Sequence, residues 1–153
     1  MTIGHLAGIA RHAMPKGPME TVGHVAVTIA EGVHGDFRGG LASTKPGRKR
    51  QVSLIEADSV IAAMAEAGAV LDWSDCRRNL LVTGLRLPRE EGTRVQIGES
   101  LVLEITCECD PCGRMDALHE GLRVALTPDW RGGFLGRVIE DGEIAVGDPI
   151  RIL

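Results

Sequence analysis

Residues 101–115 read LVLEITCECDPCGRM, a strand-like run followed by three of the four cysteines of the chain. The apolar and β-branched residues from Leu101 to Thr106 are typical of a β-strand. Because successive side chains of a strand point to opposite faces, Cys107 and Cys109 should share one face and Glu108 should lie on the other. The stretch therefore predicts a strand that brings two cysteines to one side of a sheet.

A break follows this strand, because Pro111 cannot continue a central strand. Asp110 is a favourable helix N-cap and Pro111 a favourable first helical residue, so a short helix should run to about His119. Cys112 would then lie in the first turn of that helix. Unpaired backbone N–H groups, the helix dipole and the charge of Arg114 would favour the thiolate of Cys112 over the thiol.

The composition indicates one compact domain spanning residues 1–153. A chain of this length, with 44% hydrophobic and 25% charged residues, can bury one core but hardly two. Its 20 glycines are spread between short apolar runs and make up about 13% of the chain, against a usual share of about 7%. We therefore expect many turns, and hence many strands.

Charge and aromatic content argue against nucleic acid as a partner. The formal net charge is -4, and the chain has two Phe, two Trp and no Tyr on which bases could stack. No stretch approaches the roughly 20 apolar residues of a membrane span, and residues 1–10 do not resemble a signal peptide. We expect a cytoplasmic protein without a membrane partner, whose cysteines are catalytic, metal-binding or inert rather than disulfide-bonded.

Short strands separated by turns predominate along the rest of the chain. Strand-like runs occupy residues 3–11, 22–30, 95–98, 100–107, 134–139, 144–146 and 149–153, with further short strands beginning near Val52 and Leu80. The clearest helix is Glu56 to Gly68, and its predicted core face consists of Ala57, Val60, Ile61, Met64 and Ala67. The pattern leaves little room for strand–helix–strand crossovers. It predicts a mostly β fold, a closed or nearly closed barrel with a few short helices.

Basic residues cluster at the entrances of two predicted strands. The first cluster follows a glycine-rich loop at residues 32–40, whose backbone a ligand can approach closely. The clusters comprise Arg48, Lys49 and Arg50 in one case, and Arg77 and Arg78 followed by Asn79 in the other. Such clusters are usually solvated faces, but Lys and Arg beside a glycine-rich loop can also hold a phosphate. The loop matches neither the Walker motif nor the dinucleotide-binding motif.

Four roles are open to the cysteines. A structural zinc site would combine Cys109 and Cys112 with Cys76, Cys107 or His119, although a second C-x-x-C pair is missing. A thiol–disulfide couple at Cys109 and Cys112 would lack its usual setting between a strand and a helix of a βαβ unit. A single thiolate at Cys112 could bind a soft or redox-active metal or act as a nucleophile. Inert buried thiols fit Cys107 and Cys109 better than Cys112.

Five short motifs follow one another in an order that is more informative than any one of them. They are Gly35-Asp36, Arg50-Gln51-Val52-Ser53-Leu54-Ile55-Glu56, Arg77-Arg78-Asn79-Leu80 with Gly84, Pro111-Cys112 and Gly147-Asp148-Pro149-Ile150. In this order and spacing they resemble the MOSC domain, named for the C-terminal domain of molybdenum cofactor sulfurases. The resemblance extends from about residue 3 to residue 153, so the chain is similar to a short stand-alone bacterial member.

The resemblance implies a β-barrel whose characteristic cysteine corresponds to Cys112. In related molybdoenzymes that thiolate binds the molybdenum of a pyranopterin cofactor, so Cys112 would be both the metal ligand and the catalytic residue. Short bacterial members are similar to proteins that reduce N-hydroxylated bases with electrons from a separate flavin or iron–sulfur reductase. The implied cofactor-binding residues are Arg48, Lys49, Arg50, Ser53, Arg77, Arg78, Asn79, Arg114 and Asp36.

Two functions remain open on this resemblance. One is a molybdenum-dependent oxidoreductase that acts on N-hydroxylated or similar small oxygenated substrates. The other is a non-catalytic cofactor-binding module, or a carrier that receives persulfide sulfur on Cys112 from a cysteine desulfurase. A pyridoxal-phosphate site belongs to the desulfurase domain of sulfurases and is not expected in this chain. Phe37-Arg38 stands where many members have a histidine, and Cys107 and Cys109 are additional to the family cysteine.

Overall fold

The computed structural model describes residues 2–45 and 47–153, and its elements are mainly short β-strands. The strands of the described chain are β1 (Gly4–Arg11), β2 (Glu20–Val22), β3 (His24–Thr28), β4 (Gly32–Val33), β5 (Val52–Glu56), β6 (Leu80–Thr83), β7 (Arg94–Ile97), β8 (Leu101–Glu108), β9 (Phe134–Glu140), β10 (Gly142–Ala145) and β11 (Pro149–Ile152). Its α-helices are α1 (Phe37–Ser43), α2 (Ala57–Ala67), α3 (Gly113–Leu118) and α4 (Leu122–Ala125), and 3₁₀ turns occupy Trp73–Cys76 and Pro128–Trp130. None of these described helices has the length and hydropathy needed to cross a bilayer.

Seven of the described strands form a closed barrel in the order β11-β7-β8-β9-β5-β6-β1. Strand β1 pairs antiparallel with β11 as well as with β6, with Gly4 opposite Ile150, so the sheet returns to its first strand. Strand β2 extends the sheet from β1, while β10, β3 and β4 form a second, three-stranded sheet. The predicted mostly β barrel with a few short helices is therefore confirmed.

One connection of the barrel is a strand–helix–strand crossover. Strands β5 and β6 are neighbours that run parallel, with Leu54 opposite Leu80. A hairpin cannot join parallel strands, and α2 lies in the connection between them. The expectation that the chain has little room for such crossovers is therefore wrong at this place, because residues 57–79 are long enough for a helix and a return to the sheet.

Two apolar cores lie on opposite sides of the barrel wall. One fills the barrel and includes Leu54, Leu103 and Phe134. The other lies between the wall and the helices α2, α3 and α4, and it includes Ile55 and Met115. Because neighbouring residues of a strand face opposite sides, Leu54 and Ile55 of β5 are buried in different cores. Strand β5 thereby joins the barrel to the layer of helices that carries Cys112.

Helix α2 begins and ends where the sequence predicts. Glu56 is its N-cap residue and Gly68 its C-cap, at φ 67° in the left-handed region that glycine adopts without strain. The predicted apolar face is wrong at Ile61, which is 67% exposed, whereas Ala63 is fully buried. Helix α4 contacts α2, and the small side chain of Ala63 permits a close approach within their shared core.

Candidate functional site

Five separate segments of the chain converge on a pocket of about 230 Å³. They are the loop after β1, the start of α1, the residue two positions before β5, the residues after the first 3₁₀ turn and the start of α3. The lining residues are His12, Pro15, Lys16, Phe37, Arg38, Arg50, Arg77, Arg78, Cys112, Arg114 and Met115. We call this site the Cys112 pocket. The fold thus brings Cys112 together with basic residues that lie far from it in the sequence.

Cys112 is the cysteine of this site that a ligand can reach. It is exposed, whereas Cys76 and Cys109 are buried and Cys107 is half-buried. Burial raises the pKa of the Cys76 thiol against the opposing effect of Arg78, so Cys76 stays protonated at neutral pH. An inert structural role therefore fits Cys76, and the chemistry of the pocket depends on Cys112.

The helix that carries Cys112 begins later than predicted. Helix α3 starts at Gly113, and Cys112 is its N-cap residue, with no capping hydrogen bond from the side chain. Pro111 is buried against Gly132, where an added Cβ would lie 3.1 Å from the Pro111 Cδ and 2.5 Å from the carbonyl oxygen of Cys109. This close packing holds Pro111 against the barrel, so the helix starts only after it. The predicted N-cap two residues earlier is wrong.

The Cys112 pocket is strongly positive. Six basic side chains line it, and no carboxylate of the described residues does so. The six are Lys16, Arg38, Arg50, Arg77, Arg78 and Arg114. Four of them, all except Lys16 and Arg38, are among the predicted cofactor-binding residues. Because like charges repel at close range, the arrangement favours an anionic ligand that offsets them.

Arg77 is the most constrained of these basic residues. Its backbone lies at φ 63°, in the left-handed region that is unfavourable for a residue other than glycine. Its Nη2 atom is buried without a hydrogen-bond partner among the described residues. Burial lowers the pKa of Arg77, Arg114 and Arg38 lower it further, and Asp36 has the opposite effect. A bound anion would accept the unmade hydrogen bond and offset the repulsion.

Arg50 and Arg78 differ in how the protein holds them. Arg78 is buried and donates from Nε to the carbonyl of Gly132 (2.8 Å) and from Nη1 to the carbonyl of Cys76 (2.6 Å). The Arg50 side chain makes no hydrogen bond within the described chain, and burial lowers its pKa, with Cys109 acting in the opposite direction. Arg78 therefore fixes the pocket wall, while Arg50 is available to a ligand.

Five predicted cofactor-binding residues do not line the pocket. They are Asp36, Arg48, Lys49, Ser53 and Asn79. The carbonyl of Arg48 accepts a hydrogen bond from Arg137 (2.6 Å), and the carbonyl of Lys49 accepts one from Thr106 (2.7 Å). Asp36 is buried, and its side chain caps the N-terminus of α1. Direct contact of these residues with a cofactor stays a prediction.

Ser53 and Asn79 are hydrogen-bonded to each other in the barrel wall. The backbone N–H and the hydroxyl of Ser53 donate to Asn79 Oδ1, at 3.0 Å and 3.1 Å. The backbone N–H of Asn79 donates to Ser53 Oγ (3.0 Å), and its Nδ2 donates to the carbonyl of Ala10 (3.1 Å). These bonds connect the start of β5, the residue before β6 and the end of β1. They therefore fix the barrel end that carries the pocket.

We expect Asn79→Ala to lower the stability of the fold. The substitution leaves the buried N–H of Ser53 and carbonyl of Ala10 without their partner, and such losses cost about 1–3 kcal/mol. The free energy of unfolding measured in urea should fall by about 2 kcal/mol. Thr21→Ala, at an exposed position of β2, is the control and should change it little. An unchanged urea midpoint in Asn79→Ala would show that this residue does not hold the barrel end together.

Three ionisable lining residues were not among the predicted site residues: His12, Lys16 and Arg38. Arg38 lies two residues after Asp36 of the Gly35-Asp36 motif, and this proximity was the one signal in the sequence for it. His12 and Lys16 come from a turn-rich segment between strands, and no spacing rule relates them to Cys112. The pairing of β1 with β6 places the segment after β1 beside the residues that precede β6, and so brings His12 and Lys16 to the pocket.

No three His, Cys, Asp or Glu side chains in the described parts of the chain lie close enough together to hold a metal ion. A structural zinc site at Cys109 and Cys112 therefore lacks its further protein ligands. A metal bound at Cys112 would need most of its ligand atoms from another molecule. A metal-containing cofactor that brings its own ligand atoms meets this requirement.

A larger cleft of about 780 Å³ lies beside the three-stranded sheet. Its ionisable lining is mainly acidic and consists of Glu99, Asp141, Glu143, Asp148 and His24. No cysteine and no arginine of the described residues lines it. Because the cleft lacks both a soft ligand and a nucleophilic thiol, the smaller Cys112 pocket is the candidate functional site.

Fold and pocket together define a β-barrel protein with an exposed thiol in a cationic pocket. A profile of the MOSC domain matches residues 34–151, well over half of the chain. The chain therefore belongs to the MOSC domain family, which is associated with binding of the molybdenum cofactor. No curated protein matches the sequence.

Solved structures of low sequence identity share this fold. YuaD from Bacillus subtilis has a TM-score of 0.76 at 17% identity, with 97% of this chain and 94% of that chain covered. YiiM from Geobacillus stearothermophilus has a TM-score of 0.71 at 16% identity, with 98% and 75% covered. YiiM from Escherichia coli has a TM-score of 0.65 at 14% identity, with 97% and 69% covered. At these identities the likeness shows a common fold alone.

Proposed function

We propose that the protein binds the molybdenum cofactor in the Cys112 pocket and reduces N-hydroxylated or similar small oxygenated substrates. The observation that carries the proposal is the exposed thiol of Cys112 in a pocket lined by six basic side chains. In this proposal Cys112 is the molybdenum ligand and the catalytic residue. The electrons come from a separate protein that contains a flavin or an iron–sulfur cluster.

The donor set of the pocket fits this cofactor. A thiolate is a soft ligand that suits a redox-active metal, and guanidinium groups bind phosphate through paired N–H donors. The buried, unpaired Nη2 of Arg77 provides one such donor. The pocket, at about 230 Å³, is smaller than the roughly 300–1,000 Å³ of typical ligand sites. It therefore suits a charged part of the cofactor rather than the whole molecule.

The proposed reaction consumes two electrons and two protons. An N-hydroxylamine, R–NH–OH, becomes an amine, R–NH₂, and the N–O bond breaks. One proton goes to nitrogen, and the other goes to the oxygen, which leaves as water. When bound, the molybdenum cofactor supplies the two-electron chemistry. The basic residues of the chain hold anionic groups in place and offset negative charge in the pocket.

Turnover of an N-hydroxylated base tests the proposed function. Protein purified from a host that makes the cofactor is mixed with the base and chemically reduced viologen, and the amine product is measured. We expect product from this protein and none from protein made in a host that lacks the cofactor. Absence of product from protein that contains molybdenum would refute the reductase activity.

We expect Arg77→Gln to weaken binding of inorganic phosphate, used here as a probe for the cofactor phosphate. A hydrogen bond to a charged group contributes about 1.5–3 kcal/mol, so the dissociation constant should rise by about 10- to 100-fold. Arg123→Gln is the matched control, because Arg123 is an exposed arginine of α4 outside the pocket. Equal phosphate affinity in the two variants, measured by calorimetry at constant ionic strength, would remove Arg77 from the binding site.

The exposure of Cys112 also supports a second candidate function, that of a persulfide carrier. Such a carrier needs a thiol that a cysteine desulfurase can reach, and Cys112 is exposed. After incubation with a desulfurase and cysteine, intact mass should increase by about 32 Da, the mass of one sulfur atom. A carrier shows this adduct on Cys112 and loses it in Cys112→Ser. Its absence, while a known acceptor is modified, would exclude this function.

A further inference from the structure

A buried histidine lies in the Cys112 pocket and has no role in the proposal above. His12 follows β1, is 8% exposed and lines the pocket. Its backbone N–H donates to Asp36 Oδ1 at 3.1 Å, and its ring packs against Phe37 at a centroid distance of 6.3 Å. The hydrogen bond holds the backbone of His12, and the ring lies beside Phe37. The family match begins at residue 34, so His12 lies outside the matched span.

Asp36 lies beside the His12 imidazole but makes no hydrogen bond to the ring, and the ring Nδ1 is buried without a hydrogen-bond partner among the described residues. The ring Nδ1 lies 3.4 Å from Asp36 Oδ1, and the Asp36 side chain is almost fully buried. The other carboxylate oxygen of Asp36 accepts the backbone N–H of Gly39 at 3.3 Å, so the carboxylate is itself held in place. A carboxylate beside Nδ1 favours the tautomer with the proton on that nitrogen. The ring nitrogen Nε2, which makes no hydrogen bond within the described chain, is then left for a ligand.

The charges around His12 keep it neutral in the absence of a ligand. Burial lowers the pKa of His12, and Asp36 opposes this effect. The positive charges of Arg77, Arg38 and Arg50, which reach the histidine from three different segments, lower the pKa further. At neutral pH Nε2 therefore carries a lone pair, which repels an anion with no proton of its own.

We propose that His12 takes up a proton when an anion enters the Cys112 pocket and then donates a hydrogen bond from Nε2 to that anion. The physical reason is that the anion offsets the three arginine charges that oppose protonation of His12. This inference rests on the proposed binding of an anionic ligand in the pocket. In the proposed reductase, protonated His12 would hold one of the two protons that the reaction consumes.

Sulfate tests this inference, because it keeps a double negative charge throughout the range in which histidine titrates, about pH 5 to 8. The imidazole signals of the protein are followed by NMR in sodium sulfate and in sodium chloride of equal ionic strength. The titration midpoint of His12 should rise in sulfate by about one pH unit, the size of effect that a nearby opposite charge produces. The signals of His24, which lies outside the pocket, are the control and should respond alike to the two salts.

The outcomes distinguish this inference from the proposed function. If sulfate perturbs the side-chain signals of Arg50 and Arg77 but leaves the midpoint of His12 unchanged, proton uptake by His12 is refuted and the anion site stands. If sulfate perturbs neither the arginines nor His12, the anion site fails, and the inference fails with it. The wild-type titration needs no variant, so a folding defect cannot obscure the result.

The affinity for sulfate provides an independent measurement. If His12 gains a proton when sulfate binds, its titration midpoint is higher in the complex than in the free protein. Sulfate then binds more tightly as the pH falls from above the midpoint of the complex to below the midpoint of the free protein. A rise of one unit corresponds to about tenfold tighter binding at the low end of that range. His12→Asn should lose this pH dependence, and His24→Asn should keep it. The same pH dependence in His12→Asn as in the wild type would overturn the assignment to His12.

Discussion

Cys112→Ser is expected to reduce turnover of an N-hydroxylated base by more than about 100-fold. Loss of a residue that only contacts a metal ligand costs about 10- to 100-fold in metal affinity or activity, and loss of the ligand itself should cost more. Serine is nearly isosteric with cysteine, but its hydroxyl is a hard ligand that stays protonated at neutral pH. The variant therefore keeps the shape of the pocket and removes the soft ligand. Product formation with reduced viologen as electron source measures the effect.

Cys107→Ser is the matched control for this prediction. Cys107 lies on β8, is half-buried and does not line the pocket, so turnover should stay within about twofold of the wild type. Both variants should unfold at urea concentrations close to that of the wild type. Wild-type turnover in Cys112→Ser, or an equal loss in the two variants, would remove Cys112 from the catalytic centre.

Glu56→Ala is expected to cost about 4 kcal/mol of stability, because breaking a buried ion pair from one side costs about 3–5 kcal/mol. The Glu56 carboxylate is almost fully buried and accepts two hydrogen bonds from Arg89, from Nη1 and from Nη2, each at 2.7 Å. It also accepts the backbone N–H of Leu87 at 2.7 Å. The guanidinium of Arg89 lies over the ring of Phe134, with Cζ 5.2 Å from its centroid.

The double variant Glu56→Met/Arg89→Met separates the charge effect from packing. Replacing both members of a buried ion pair by apolar residues of similar volume is often close to neutral, so the double variant should be more stable than Glu56→Ala. Urea denaturation compares the two, with the slope of the transition checked for two-state behaviour. A double variant less stable than Glu56→Ala would show that the polar contacts themselves hold this region.

Local patterns in the sequence are sufficient for several parts of the fold. The run at residues 101–108 is strand-like by itself, and it forms β8 in the barrel wall. Helix α2 is bounded by Glu56 and by Gly68, both of which the sequence marks as helix ends. Cys112 stands after a proline at the end of a strand, and that local signal identifies it as the accessible thiol. Each of these features depends on residues close together in the chain.

Features that depend on distant residues could not be predicted in the same way. The predicted strand at residues 22–30 is divided at Gly23, because β2 pairs with β1 while β3 pairs with β10 in the other sheet. The partner of Glu56 is Arg89, 33 positions later, and the partner of Asn79 is Ser53, 26 positions earlier. Hydrophobic periodicity contains no information about such polar pairs, since it reports only which face of an element is buried.

Only part of the pocket could be predicted from the sequence, because its residues come from distant parts of the chain. Four of its basic residues precede predicted strands or follow Cys112, and the family resemblance relates them to a phosphate. Lys16 and Arg38 lie elsewhere in the chain and reach the pocket through the pairing of β1 with β6 and through the start of α1. His12 has no second potential ligand at metal-binding spacing in the sequence, a pattern that favours a surface or structural role, although Asp36 lies beside it in the fold.

Molybdenum content per chain tests the central claim, that Cys112 binds the metal of the cofactor, most directly. Wild type and Cys112→Ser are purified from the same molybdenum-replete host and compared by elemental analysis. We expect about one molybdenum atom per wild-type chain and almost none in the variant, since a single cofactor site depends on this thiolate. Equal molybdenum content in the two proteins would contradict the claim. Wild-type protein without molybdenum would also contradict it, provided that the same host loads another molybdoenzyme with the metal.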